Sequence, residues 1–202
     1  MTDFEDSLTP TFDNLMQGQI NIRNAINNKI DFIDEKSGKE YKLNKKTAVL
    51  IIRPRGLHLD DKNIIVEGKR ISGTFFDLGL SLFHNAKKLI ENGSGPYFYL
   101  PKLEHYLECR MLNDVITFCE KKLNLEVGTV KVTVLIETIN AVFQMDEFLW
   151  ELRDHIVGLN AGRWDYLFSY QKVYRNTKKV ILPDRSKVNM FVPFMSNYNK
   201  LL

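Results

Sequence analysis

Short apolar, β-branched runs alternate along this chain with longer stretches in which apolar residues recur at three- and four-residue steps. The runs predict strands at Thr2–Glu5, Val49–Arg53, Tyr97–Pro101, Lys131–Ile136, Asp165–Ser169 and Met190–Pro193. Val49-Leu50-Ile51-Ile52 and Val132-Thr133-Val134-Leu135-Ile136 are almost continuously apolar, which suits strands of a parallel sheet covered by helices. The stretches between them predict helices. One spans Asn14–Asn28 and opens after Asp13 as its cap. A second spans Gly73–Glu91, with Leu78, Leu82, Leu89 and Ile90 on its apolar side and Asn92-Gly93 as its stop. Leu103–Leu123 and Ala141–His155 are the others, and Leu149, Leu152 and Ile156 continue an apolar edge. Ile30–Lys46, with Asp34-Glu35-Lys36-Ser37-Gly38-Lys39, predicts an inserted turn or hairpin. Repeated strand–helix alternation predicts an α/β fold with right-handed crossovers. Periodicity does not separate a closed barrel from a doubly wound sheet.

Composition narrows the class further. The 202 residues are 44% hydrophobic and 26% charged, as in a soluble globular domain. A net charge of +3 gives no clustered basic face for nucleic acid, and the lysine-rich stretches Lys36–Lys46 and Arg175–Lys187 read as solvated loops. Cys109 and Cys119 share one helical stretch, roughly 15 Å apart along its axis, too far for a disulfide. They read as buried thiols of a reducing compartment. No apolar run approaches the ~18 residues of a membrane span. Asp3, Glu5 and Asp6 argue against a signal peptide. The C-terminal Asn-Lys-Leu-Leu is not a peroxisomal Ser-Lys-Leu-type address.

The most informative stretch is Arg153-Asp154-His155-Ile156-Val157-Gly158-Leu159-Asn160-Ala161-Gly162-Arg163-Trp164-Asp165-Tyr166-Leu167-Phe168. It resembles the malate synthase signature H-x-x-G-L-N-x-G-R-W-D-Y-x-F, which ends in a metal-binding aspartate. Two more segments resemble that family: Arg53-Pro54-Arg55-Gly56-Leu57-His58-Leu59 matches R-x-R-G-x-H-L, and Thr2-Asp3-Phe4-Glu5-Asp6-Ser7 matches A-D-F-E-D-S. Phe98-Tyr99-Leu100-Pro101-Lys102-Leu103-Glu104 is also similar to a family segment, with no chemical role attached. The resemblance runs over essentially the whole chain. It implies a (β/α)8 TIM barrel, here incomplete, with about six of the eight strand–helix units a barrel needs. Residues 1–202 are then a partial barrel catalytic domain, with the family's N-terminal region and C-terminal helical domain absent.

The resemblance also implies a chemistry: magnesium-dependent condensation of acetyl-CoA with glyoxylate and hydrolysis to malate and CoA. Barrel enzymes carry their reactive groups at the C-terminal ends of strands. Glu137 follows the strand Lys131–Ile136, and Asp165 is where the next predicted strand begins. Two carboxylates with several waters suit Mg2+, and the family uses a glutamate and an aspartate at these positions. Glyoxylate then contacts Arg53, Glu137, Gly162, Arg163, Trp164 and Asp165. The backbone N–H groups of Trp164 and Asp165 hold its carboxylate, and Gly162 permits close approach. Trp164 also reads as a core aromatic, and the two roles are compatible. Gly158 reads as a turn residue.

Arg53 is the cation expected to stabilise the enolate of acetyl-CoA. Arg55, two residues on, is the alternative. His58 reads as a hydrogen-bonded structural histidine before a ligand or base, and His105 and His155 read likewise. Asp3 and Glu5 are expected to bind waters on the metal, with Ser7 near the CoA; the competing reading is a frayed acidic terminus. The family's proton-abstracting aspartate lies in the C-terminal helical domain, and no residue here matches it, so no catalytic base is expected in this chain and activity is not expected of it alone. Two other readings stay open: a magnesium-dependent CoA-ester lyase of the malyl-CoA or citrate lyase β type, and a non-catalytic remnant. The expected partners are small molecules, not nucleic acid or membrane. The expected compartment is cytoplasmic or peroxisomal/glyoxysomal.

Overall fold

In the computed structural model, which describes residues 1–202 apart from the side chain of Lys179, strands and helices alternate. In chain order they are β1 (Thr2–Asp3), α1 (Phe12–Ile26), β2 (Asp31–Ile33), β3 (Glu40–Lys42), β4 (Ile52–Arg53), β5 (Asp60–Val66) and β6 (Lys69–Ser72). Then come α2 (Gly73–Glu91), β7 (Tyr97–Leu100), α3 (Tyr106–Leu123), β8 (Lys131–Ile136), α4 (Ile139–Val142), α5 (Met145–Glu151), β9 (Ile156–Ala161), α6 (Arg163–Tyr174) and α7 (Pro193–Leu201). Five strands form one sheet in the order β1-β4-β7-β8-β9, and every neighbouring pair is parallel. Strand order follows chain order with no reversal. That is the arrangement of a barrel wall, whereas a doubly wound sheet reverses at a switch point. β1 and β9 do not pair with each other, so the wall is an open arc of a (β/α)8 barrel.

The helices follow the strands round the outside: α1 packs on α2, α2 on α3, and α3 on α5. Leu15 and Ile22 of α1, Leu78 and Leu82 of α2, and Cys109, Leu112 and Ile116 of α3 are buried against Ile52, Phe98, Leu100, Val132, Val134 and Ile136 of the sheet. Each such apolar side chain stabilises the fold by about 1.5–3 kcal/mol. On the other face of the sheet Tyr97, Tyr99 and Thr133 stay partly exposed. Among the described residues no helix is long and apolar enough to cross a membrane. Cys109 and Cys119 both lie on α3 as free thiols.

Several expectations need correction. Asp165–Ser169 is not a strand; it belongs to α6. The alternating Trp164, Tyr166 and Phe168 imitate a two-residue period, but Gly162 caps a helix there. The strand is β9, immediately upstream, where Gly158 reads from the sequence as a turn residue. β9 pairs only with β8, so it lacks the continuous apolar run of a doubly covered strand. Met190–Pro193 is a turn, with Pro193 opening α7, a position where its missing N–H costs nothing. The sheet thus has five strands instead of about six. The helix predicted over Ala141–His155 is two short helices broken at Phe143-Gln144. α1 is capped by Thr11, not Asp13.

The hairpin expected in Ile30–Lys46 is β2–β3. A second hairpin, β5–β6, has no counterpart among the predicted elements. Its turn, Glu67-Gly68, takes positive φ at both residues (50° and 77°), the geometry that matches strand twist in a two-residue hairpin. His105 caps α3 together with Glu108. His155 is fully buried, 2.9 Å from Asn113 Oδ1 and 3.0 Å from Glu120 Oε2. It braces the start of β9, well away from the C-terminal strand ends.

Candidate functional site

The parallel register brings the C-terminal strand ends together. Asp3 faces Arg53 across β1 and β4, and Ile136 faces Ala161 across β8 and β9. The residues at or just beyond these ends are Asp3, Glu5, Arg53, Lys102, Glu137 and Gly162.

The acidic segment after β1 is tied down, not frayed. The Arg53 guanidinium donates to both Asp3 oxygens, Nε to Oδ1 at 2.7 Å and Nη2 to Oδ2 at 2.5 Å. Arg53 Nη1 also lies 3.4 Å from Glu5 Oε2 and 3.6 Å from Asp6 Oδ2. Burial alone would raise the Asp3 pKa; the Arg53 fork and the Ser7 hydroxyl reverse this and hold it at about 2. Ser7 donates through Oγ to Asp3 Oδ2 at 2.7 Å, so the hydroxyl expected near CoA here orients Asp3. Arg55 is a different kind of residue. It is buried and spent on two acids, with Nη1 2.7 Å from Asp61 Oδ2 and Nη2 2.9 Å from Asp77 Oδ1. Arg53, not Arg55, is the arginine that faces the acidic cluster. His58 is exposed; partial desolvation and then the Lys102 charge lower its pKa.

Glu137 is buried at the end of β8, and its Oε1 accepts from the Lys102 backbone N–H at 2.7 Å. Burial, together with the charge of neighbouring Asp165, pushes its carboxyl up to about 7 from an ordinary 4.5, against the opposing Lys102 N–H. A raised acid pKa means the folded state favours the protonated form. Glu137 therefore contributes stability below about 4.5 that is lost as pH rises through about 7. In metal-free buffer, Glu137→Gln should gain thermal stability relative to the unsubstituted chain across that interval. Parallel pH profiles in differential scanning calorimetry would contradict this.

Asp165 sits in the first turn of α6. Gly162 precedes that helix, and a Cβ there would lie 2.6 Å from Glu137 Cβ and 2.7 Å from Glu137 Oε2. Its N–H donates to the Tyr198 hydroxyl at 3.0 Å, and that hydroxyl donates to the Ile136 carbonyl. Tyr198 thus links the backbone on either side of the Glu137–Gly162 contact. Gly162→Ala should cost about 1–3 kcal/mol, as overpacking does, because Glu137 Cβ cannot swing aside. An unchanged urea midpoint would show that these strand ends are looser.

α6 has no side-chain cap, and its first backbone bond is Tyr166 N–H to Gly162 O at 3.0 Å. Among the described residues the N–H groups of Arg163, Trp164 and Asp165 have no partner, so they leave an open helix N-terminus, where the partial positive charge favours an anion. Trp164 is 50% exposed, which removes the core-aromatic reading. The Arg163 guanidinium stacks on its ring at 4.0 Å, and Arg185 approaches at 5.3 Å.

The sequence alone assigns Lys102 no role. Its ammonium contacts Glu5 and lies 3.1 Å from Asp6 Oδ1 and 3.5 Å from Asp165 Oδ2. Burial works against its charge, but the hydrogen bonds to Glu5 and Asp6 outweigh that and raise its pKa. The one signal available is its place directly after a predicted strand, where barrel chemistry collects.

Among the described residues no three His, Cys, Asp or Glu side chains converge closely enough to enclose a metal by themselves. Mg2+ does not need that, since it takes one or two carboxylates and keeps its waters. The residues fit such an ion. Burial and the Asp165 charge push the Glu137 carboxyl up, an effect that a cation beside it would oppose, and Glu5 Oε2 is buried without a hydrogen-bond partner. Among the described residues the cations paired with the carboxylates of Asp3, Glu5, Asp6 and Asp165 are Arg53 and Lys102. A cleft of about 640 Å³ lined by Ala25, Leu43, Thr47 and Tyr97 lies at the opposite strand ends and holds none of these residues.

Residues 49–202 match the family model described as "Malate synthase, TIM barrel domain". The chain belongs to the malate synthase family. Over 202 residues it is 51% identical to a malate synthase of Myxococcus xanthus, covering all of this chain and 37% of that protein. Over 206 residues it is 50% identical to a glyoxysomal malate synthase of Candida tropicalis, again all of this chain and 37% of the other. The chain therefore spans a little over a third of the length of these malate synthases. Among solved structures a citrate lyase of Burkholderia xenovorans shares the fold, with a TM-score of 0.51 at 16% identity over 74% of this chain and 39% of the other.

Proposed function

We propose that this chain is the barrel segment of a malate synthase and supplies the metal, glyoxylate and arginine parts of its site. Acetyl-CoA and glyoxylate are the substrates in this reading, and malate and CoA the products. The observation that carries it is the meeting of Glu137 and Asp165 beside the unpartnered N–H groups at the start of α6. Glu137 and Asp165 hold the divalent ion, with Asp3 and Glu5 positioning waters on it. Bound there, Mg2+ supplies Lewis-acid polarisation of the glyoxylate aldehyde.

The Trp164 and Asp165 N–H groups take the glyoxylate carboxylate at the positive end of α6. Gly162 keeps the approach open. Arg163 spends its guanidinium on Trp164, which leaves its backbone N–H as its contribution. Arg53, pinned by Asp3, presents a fixed positive charge to the oxygen that becomes negative when the acetyl methyl loses its proton. That proton goes to an aspartate of a C-terminal helical domain outside these 202 residues; the methyl of a thioester is too weak an acid to ionise without a placed base. Half-identity to malate synthases over the full chain favours this reading over a CoA-ester lyase, for which only fold likeness speaks. The glyoxysomal relative supports the peroxisomal or glyoxysomal side of the expected setting.

The test is CoA release from acetyl-CoA, glyoxylate and Mg2+. The 202-residue chain should be silent, and a chain of the relatives' full length that contains it should turn over. In that longer protein Arg53→Lys should lower kcat at least ~100-fold, the scale of losing one transition-state charge partner. Turnover by the short chain would mean a base within these 202 residues, with His58 and Asp60 the first to substitute, since Asp61 is held by Arg55. Silence of both would leave a non-catalytic remnant.

A further inference from the structure

Lys102 occupies a position that the reaction does not explain. It follows Pro101 at the end of β7 and takes φ 55°, a left-handed conformation uncommon for a lysine. That conformation turns its backbone N–H onto Glu137 Oε1 at 2.7 Å and sends its side chain over the acidic cluster, to Glu5, Asp6 and Asp165. The ammonium thus faces Asp165 Oδ2, an oxygen a divalent ion would need. A divalent ion on that oxygen would meet the ammonium's like charge 3.5 Å from it, and that repulsion favours the ammonium's departure.

We propose that Lys102 is a built-in counterion that holds the carboxylate cluster together without a divalent ion and swings out when one enters. This rests on the divalent-cation reading of Glu137 and Asp165. The side chain suits such a role, being a compact charge on a flexible stem, 22% exposed and so with a path to solvent. The cluster survives its departure, because Arg53 stays on Glu5 at 3.4 Å and on Asp6 at 3.6 Å. The Lys102 backbone N–H also stays on Glu137 Oε1, which directs the other oxygen, Oε2, to the ion. A rigid orienting lysine, by contrast, would have to remain in place with the metal bound.

The experiment titrates Mg2+ alone into the unsubstituted chain, Lys102→Gln and Lys102→Asn, the last because asparagine accepts positive φ. If the ammonium is seated about nine-tenths of the time, removing it tightens Mg2+ binding about tenfold. The metal-free variants should also melt lower than the unsubstituted chain, with the gap closing at saturating Mg2+. A second readout needs no substitution. Acetylation of the Lys102 amine by acetic anhydride, followed by mass spectrometry, should speed up when Mg2+ is added. Equal or weaker Mg2+ binding by the variants, or acetylation unchanged by Mg2+, overturns the proposal. Absence of Mg2+ binding by the unsubstituted chain overturns the cation reading itself, and this inference with it.

Discussion

Asp165→Asn weakens Mg2+ binding by at least about 100-fold, the upper end of what losing even an outer-shell partner costs. In the proposed site Glu137 and Asp165 are the two carboxylates that touch the ion directly. Removing the charge of one leaves Glu137, which burial already pushes toward protonation at about 7, as the sole anionic ligand. The substitution is nearly isosteric and lies in the first turn of α6, where Asp165 is 31% exposed at its side chain. The fold should therefore survive it, within about 1 kcal/mol of the unsubstituted chain. Titration calorimetry and urea unfolding on the same preparation separate the two effects. Retained Mg2+ affinity in a folded Asp165→Asn chain would remove Asp165 from the ligand set.

Arg55→Ala unfolds the chain more easily by about 3–5 kcal/mol, the cost of breaking a buried ion group from one side. Arg55 is 3% exposed and its partners Asp61 and Asp77 are 2% and 0% exposed. Asp77 takes three hydrogen bonds from Arg55: the backbone N–H at 3.0 Å, Nε at 2.9 Å and Nη2 at 2.9 Å. Burial already raises the Asp77 pKa against that help, so without the guanidinium the acid must take up a proton or break the packing. The effect is one of stability and not of site chemistry. It distinguishes Arg55 from Arg53, whose guanidinium faces the acidic cluster. A shift below about 1 kcal/mol, the range of surface ion pairs, would mean that water reaches Asp77.

The parallel strands are legible in the sequence where covering helices demand apolar runs. β8 is predicted at its observed bounds, and α2 likewise, because Asn92-Gly93 ends an uninterrupted apolar stripe. β9 is not legible, although it carries the family signature. A strand paired on one side, interrupted by Gly158 and Asn160, has no apolar run to announce it, while the aromatics of α6 imitate one. The candidate site residues come from the family resemblance, since Glu137, Asp165 and Arg53 each look like any charged residue at an element end. What the motif leaves out is their mutual geometry. The Arg53 fork on Asp3, the buried Arg55 group and the Lys102 ammonium all join residues separated by 6 to 97 positions. No local pattern encodes such contacts; the Arg53 fork follows from the parallel register of β1 and β4, and the Arg55 group from the packing of β5 and α2 beside the end of β4.

The proposed function requires a metal-dependent glyoxylate site on the barrel segment. Titration of glyoxylate into the 202-residue chain with and without Mg2+ tests it most directly. Linkage requires that an ion shared with the ligand tighten its binding. Glyoxylate should bind measurably with saturating Mg2+, fade when EDTA removes the ion, and fade equally in Asp165→Asn. Equal affinity with and without Mg2+, or no binding in a chain shown to hold Mg2+, would contradict the account.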